Sequence, residues 1–160
     1  MNFVDVDVAM GCDGWPDEAF LLAMAKTAFS TAVDVLELDE QFNVSLLFTS
    51  DEAVQKLNRE WRGKDKPTNV LSFPAGASPV ETDIEFLGDI ALALETVSQE
   101  ALEEGKTFEH HLTHLLVHGF LHLCGYDHET GDDDAEEMET LERAILARLA
   151  IADPYAVNDH

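Results

Sequence analysis

Six of the seven histidines in this 160-residue chain fall between His110 and His128, and their spacing dictates a local fold. His118 and His122 stand at i and i+4, about 40° apart around a helix at roughly 100° per residue, so both rings leave one face. His128 follows six residues later, with Gly125 midway between. A glycine there ends the helix and lets the chain turn back to present a third ring. Three neutral imidazoles on one Zn²⁺ leave a coordination position open for a water whose pKa falls to about 7. A single helical histidine is ordinarily a core residue satisfied by a backbone carbonyl, but a triplet that carries its own turn points to metal.

The run His118-x-x-x-His122-x-x-Gly125-x-x-His128 has the ligand spacing of the metzincin zinc site. Zinc peptidases of this spacing place a glutamate, their general base, directly after the first histidine. Here that position is Gly119. Close packing against another backbone is one reason for a glycine inside a helix; space left open and uncharged beside the metal is the other. The second reading favours an anionic substrate such as a phosphodiester over a peptide. His111 and His114 share the stripe of His118 and His122, within roughly 80° of arc. They are supporting groups behind the ligands, substrate-facing groups or core histidines, and His114 is counted on the substrate side. His110 points away, and Cys124 lies on the far side of the helix as a buried thiol.

Around this segment the pattern alternates strands and helices. Asn2–Val8 alternates apolar and acidic residues as a half-buried strand does, and Phe42–Thr49, Val70–Pro74 and Phe86–Leu94 read as further strands. Helices are expected from Pro16 to about Leu38, from a Ser50 cap to near Gly63, over Thr96–Glu104 with Gly105 ending it, from a Thr107 cap through Phe108–Cys124, and over Asp132–Leu149. Gly76–Asp83 reads as a polar, flexible loop. With 46% apolar residues the chain can bury one core. The expectation is an α+β fold: one domain over residues 1–152, with a small mixed four-stranded sheet packed by helices, and a flexible tail over 153–160.

Charge narrows the function. Lys plus Arg number 9 against 33 Asp plus Glu, a formal net charge of −24, which repels nucleic acid and anionic membranes at long range. The exception is local: five of the nine cations, Lys56, Arg59, Arg62, Lys64 and Lys66, lie within eleven residues and carry a net of +3 after Glu60 and Asp65. Lys56 and Arg59 suit the C-terminal dipole of their helix. Arg62, Lys64 and Lys66 fall on a turn and read as anion-binding, the arginine offering a planar fork to phosphate oxygens. Trp61 and Phe73 are able to stack bases, but each sits on an apolar face and is read as core. Asp127 to Glu142 holds nine acidic residues and no cation. It is read as a solvated face except for Asp127, which adjoins His128 and is placed to orient a ligand or accept a proton. Two cysteines and an acidic N-terminus without a signal-peptide pattern lead to a cytoplasmic expectation.

Three segments resemble the YbeY endoribonucleases, the bacterial rRNA maturation factors. They are Trp61-Arg62-Gly63-Lys64-Asp65-Lys66-Pro67-Thr68-Asn69-Val70-Leu71-Ser72-Phe73-Pro74, then Leu87-Gly88-Asp89-Ile90, then His118-Gly119-Phe120-Leu121-His122-Leu123-Cys124-Gly125-Tyr126-Asp127-His128. Their order and spacing agree with the family, with Cys124 in place of a more usual aliphatic residue. The resemblance implies a zinc-dependent, single-strand-directed endoribonuclease of the cytoplasm, acting in 16S rRNA 3′-end processing and ribosome quality control. It also implies that His118, His122 and His128 hold one zinc ion and that Arg62 faces the scissile phosphate.

The expected function is therefore hydrolysis of single-stranded RNA, with Arg62 catalytic and Arg62, Lys64, Lys66 and His114 binding substrate. The nucleophile is either the activated water or the substrate 2′-OH. Partners are rRNA and small-subunit ribosomal components, with no membrane and no DNA. Two alternatives stand beside it: a metallopeptidase that recruits its base from elsewhere, and a non-catalytic assembly factor whose acidic surface binds basic ribosomal proteins.

Overall fold

Strict alternation in β2 (Gln41–Thr49) sends Phe42, Val44, Leu46 and Phe48 into the main core, and this strand is the spine of the sheet. The computed structural model describes residues 4–38, 41–75, 84–126 and 132–151, the side chains of 84, 85 and 132 excepted. β1 (Val4–Met10) and β4 (Ile84–Ala93) run parallel to β2 on its two sides, and β3 (Val70–Pro74) closes the sheet antiparallel to β4, in the order β1-β2-β4-β3. The helices are α1 (Glu18–Val35), α2 (Asp51–Arg62), α3 (Leu94–Glu104), α4 (Phe108–Leu123) and α5 (Asp132–Arg148). This is a single α+β domain with a four-stranded mixed sheet, as the sequence leads one to expect.

The two faces of the sheet are covered unequally. The main core lies between the sheet and α1, α4 and α5, where Phe29 of α1 stacks on Phe120 of α4 with ring centroids 4.9 Å apart. The other face carries a smaller cluster, in which Val54 and Leu57 of α2 cover Leu47, Leu71 and Ala91. β3 is thus an edge strand with α2 over one face and α4 under the other.

Most helix ends follow their sequence signals. Ser50 accepts from Ala53 N at 3.2 Å, Thr107 accepts from His110 N at 3.1 Å, and Gly63 and Gly105 close α2 and α3. Two ends differ. α1 starts at Glu18 after an Asp17 cap, so Pro16 precedes the helix instead of opening it. α3 starts at Leu94, two residues before the expected Thr96, although Ala93 has no capping side chain. Asp51 supplies the cap from α2, taking Thr96 N at 2.9 Å and Thr96 Oγ1 at 2.8 Å, while Glu95 returns the favour to Asp51 N at 3.0 Å. The readings made for residues 1–3, the 76–83 loop, Asp127, His128 and the 153–160 tail lie outside the described residues.

Two glycines set how closely α4 meets the sheet. Gly88 has φ +141°, and a Cβ there falls 2.2 Å from Phe73 O, so β3 and β4 join at this point only without a side chain. Gly119 faces the sheet from α4, where a Cβ meets Ile90 at 3.1 Å and Ser72 Oγ at 3.2 Å. The reading of Gly119 as open space beside the metal is corrected: β3 and β4 fill that space. A glutamate at 119 would be driven into Ile90. Gly119→Glu is expected to lower the unfolding free energy by about 3 kcal/mol or more, through overpacking and burial of a carboxylate. Urea denaturation measures it, and a variant as stable as the parent contradicts this close approach.

Candidate metal centre and its cleft

The last two turns of α4 carry His118 and His122 to the open edge of β3, and Gly125 then turns the chain with φ +100°. The two rings face each other with Nε2 to Nε2 at 3.1 Å. Two imidazoles bound tetrahedrally to one Zn²⁺ at 2.0–2.1 Å have nitrogens about 3.3 Å apart, so this pair fits a shared ion with a small adjustment. His128, the third expected ligand, lies outside the described residues.

The orientation of His118 has a cause that was not foreseen. Glu142 of α5 is fully buried, and its two oxygens take His118 Nδ1 at 2.5 Å and His114 Nε2 at 3.1 Å. A carboxylate accepts, so Nδ1 of His118 carries the proton and Nε2 presents its lone pair toward His122. The reading of Glu142 as part of a solvated acidic face is therefore corrected. The helix period held the signal: Glu142 stands four residues after Met138 and three before Ile145, both fully buried. The same bond places His114 behind His118, and His114 is not among the residues lining the cleft.

In front of the rings lies a cleft of about 620 Å³. α4 and the turn after it supply His118, His122, Gly125 and Tyr126; β3 supplies Val70, Leu71, Ser72 and Pro74; the α2 end and its loop supply Asn58, Arg62, Lys64, Lys66, Thr68 and Asn69. None of these described lining residues is acidic, and three are cations. The loop is folded back by buried Asn58, whose Nδ2 donates to Lys66 O at 2.9 Å and whose backbone carbonyl accepts from Lys64 N at 3.2 Å. Asp65 is turned away, held by Gln55 Nε2 at 3.0 Å and by Arg59 at 3.5 Å. The loop's one carboxylate is thereby kept out of the cleft wall while Arg62, Lys64 and Lys66 border it.

Tyr126 adds a neutral donor. Burial first, then the nearby Glu137 carboxylate, push its phenol above the ordinary value, so the O–H is intact at neutral pH. Ser72 Oγ reaches Gly119 O at 3.4 Å and ties the β3 edge to α4. Cys124 is half-buried rather than buried, and Trp61, read as core, is 71% exposed. Of the residues singled out from sequence, the structure brings together His118, His122, Arg62, Lys64 and Lys66; Asn58 and Tyr126 join them with no local pattern that marks them beforehand.

A second group able to hold a cation lies behind the wall, where Glu100, Glu104 and His111 offer ligand atoms within 4.8 Å of one another. Its charges already have partners: Lys106 Nζ sits 2.8 Å from Glu104, and Glu100 takes His111 Nε2 at 2.9 Å and Asn69 Nδ2 at 3.0 Å. Through Asn69 this group anchors the first residue before β3 to α3 and α4.

Known proteins place the chain. The family model for Endoribonuclease YbeY matches residues 16–150. Endoribonuclease YbeY of Allorhizobium ampelinum is 52% identical over 98% of this chain and 97% of its own. The protein of the same name from Chelativorans sp. is 56% identical over 94% and 93%. The solution structure of TM1509 from Thermotoga maritima is similar, with a TM-score of 0.56 and 27% identity over 95% of this chain and 99% of that one. Matched by the family model from residue 16 to 150 and alike to these relatives over nearly its whole length, this protein is a member of the Endoribonuclease YbeY family.

Proposed function

We propose that this protein is an endoribonuclease that cuts single-stranded RNA in the cleft, with one Zn²⁺ held by His118, His122 and His128. The observation that carries the reading is the charge of the cleft. In a chain of net charge −24 the described lining residues include three cations and no carboxylate, directly before two converging imidazoles. The names of the relatives support RNA as the substrate.

When bound, zinc would supply Lewis acidity toward a phosphoryl oxygen and lower the pKa of a water. The chain's own residues do the rest. Glu142 holds His118 in the tautomer a metal needs. Arg62 neutralises charge that grows on the phosphate, while Lys64 and Lys66 hold the flanking backbone. Tyr126 offers an O–H to a phosphate or sugar oxygen. The resemblance further supports a role in 16S rRNA 3′-end maturation and ribosome quality control, with small-subunit components as partners in the cytoplasm. No described helix is long and apolar enough to cross a membrane. A peptidase is disfavoured because residue 119 abuts β3 and β4 and no carboxylate borders the cleft among the described residues.

The deciding experiment incubates the zinc-loaded protein with single-stranded RNA and with a denatured protein. RNA alone is expected to be cut, and Arg62→Ala should lower kcat about 10²–10³-fold with its zinc content unchanged. Cleavage of the protein substrate, or full activity of Arg62→Ala on RNA, contradicts the assignment. Three cations at the cleft also predict a log–log salt slope for RNA binding of about −2; a slope several times steeper means that RNA lies on another surface.

Glu142→Gln keeps the shape and removes the charge. Zinc affinity measured against a competing chelator is expected to fall about 10- to 100-fold, and an unchanged affinity shows that the carboxylate does not prepare His118.

A further inference from the structure

Trp61 is the residue that the cleft leaves unexplained. It continues the stripe by which Val54 and Leu57 cover the sheet, yet it is 71% exposed, and its ring contact is with Phe73 at 6.4 Å between centroids and 63° between planes. Covering an indole exposed to this extent is favourable. Its chain neighbours Arg59, Glu60 and Arg62 are exposed and charged, so it is not part of a broad apolar face of the kind that receives a protein partner. It directly precedes Arg62, the arginine of the cleft. Consecutive helical residues diverge by roughly 100°, so Arg62 borders the cleft while Trp61 stands just around the β3 edge. Phe73, beneath it, lies in chain between Ser72 and Pro74, both of which line the cleft.

A single-stranded nucleic acid is recognised by that pairing of features: cations that follow its backbone and an aromatic face on which a base stacks. We propose that Trp61 is a stacking platform for a base flanking the scissile phosphate, with Phe73 bracing the indole from below. The inference rests on the RNA-cleaving reading and adds a subsite to it. A phosphate bound at Arg62 sends a neighbouring nucleotide over the β3 edge, where its base covers the indole. Stacking of this kind accepts any base, so it supplies affinity and register rather than sequence choice.

The test uses the full chain, zinc-loaded. The other tryptophan, Trp15, is half-buried and donates from Nε1 to Thr49 O, so Trp61 is the exposed fluorophore. Stopped-flow mixing with a single-stranded RNA hexamer is expected to quench tryptophan emission in the binding phase. An abasic oligomer of the same length should bind without that quench, and Trp61→Phe should bind RNA and lose the quench. Trp61→Ala should raise KM about 5- to 150-fold, the equivalent of roughly 1–3 kcal/mol of stacking, and leave kcat within about threefold. If Arg62→Ala loses activity while Trp61→Ala keeps the parental KM and Trp61→Phe keeps the quench, stacking is overturned and the RNA-cleaving reading stands. If the parent neither binds nor cuts RNA, both fall together.

Discussion

A single buried carboxylate organises this protein's centre. Glu142 has no exposure to solvent, and a carboxylate in that position is tolerated only when hydrogen-bond donors replace its water. His114 and His118 are those donors, one on each oxygen. The exchange fixes more than a charge. It docks α5 onto α4, sets the proton of His118 on Nδ1 and aims the bare Nε2 at His122. The metal-binding face is thus prepared by a contact on the far side of the ring, between helices that the chain joins only later.

Segregation of charge is the second constraint. Long-range repulsion from the acidic surface is screened beyond about 10 Å at 0.1 M salt, so what an RNA meets at the cleft is the local charge. There none of the described lining residues is a carboxylate. Asp65, the acid nearest in sequence to the cations, is tied to Gln55 and Arg59. Asp133, Asp134 and Glu136 are exposed on α5 and are not among the lining residues. The strongly negative composition and an anion-binding cleft are compatible because Asn58 folds the cationic loop against α2 and toward the β3 edge.

Much of this was legible from local pattern. Period-two alternation located the strands, capping residues located most helix starts, and the histidine and cation spacings located two walls of the cleft. What the sequence concealed depends on tertiary neighbours. Asp51 caps a helix that has no capping residue of its own. Gly119 looked like open space because only the fold puts Ile90 and Ser72 against it. Glu142 sat in an acidic run, and run composition outweighed its place on a buried stripe. Trp61 sat on the apolar stripe of α2, but it falls in the last turn of that helix beside the edge strand β3, and a residue with a core-like period ends in solvent.

The most direct measurement is equilibrium dialysis of the parent and His118→Ala proteins against Zn²⁺, with elemental analysis and RNA cutting followed on the same samples. The account predicts close to one zinc per parent chain, little in His118→Ala, and cutting that follows the metal. Zinc retained in full by His118→Ala would place the ion elsewhere, with Glu100, Glu104 and His111 the first group to test. A parent protein that takes up no zinc, or that cuts RNA equally well without it, would contradict the account outright.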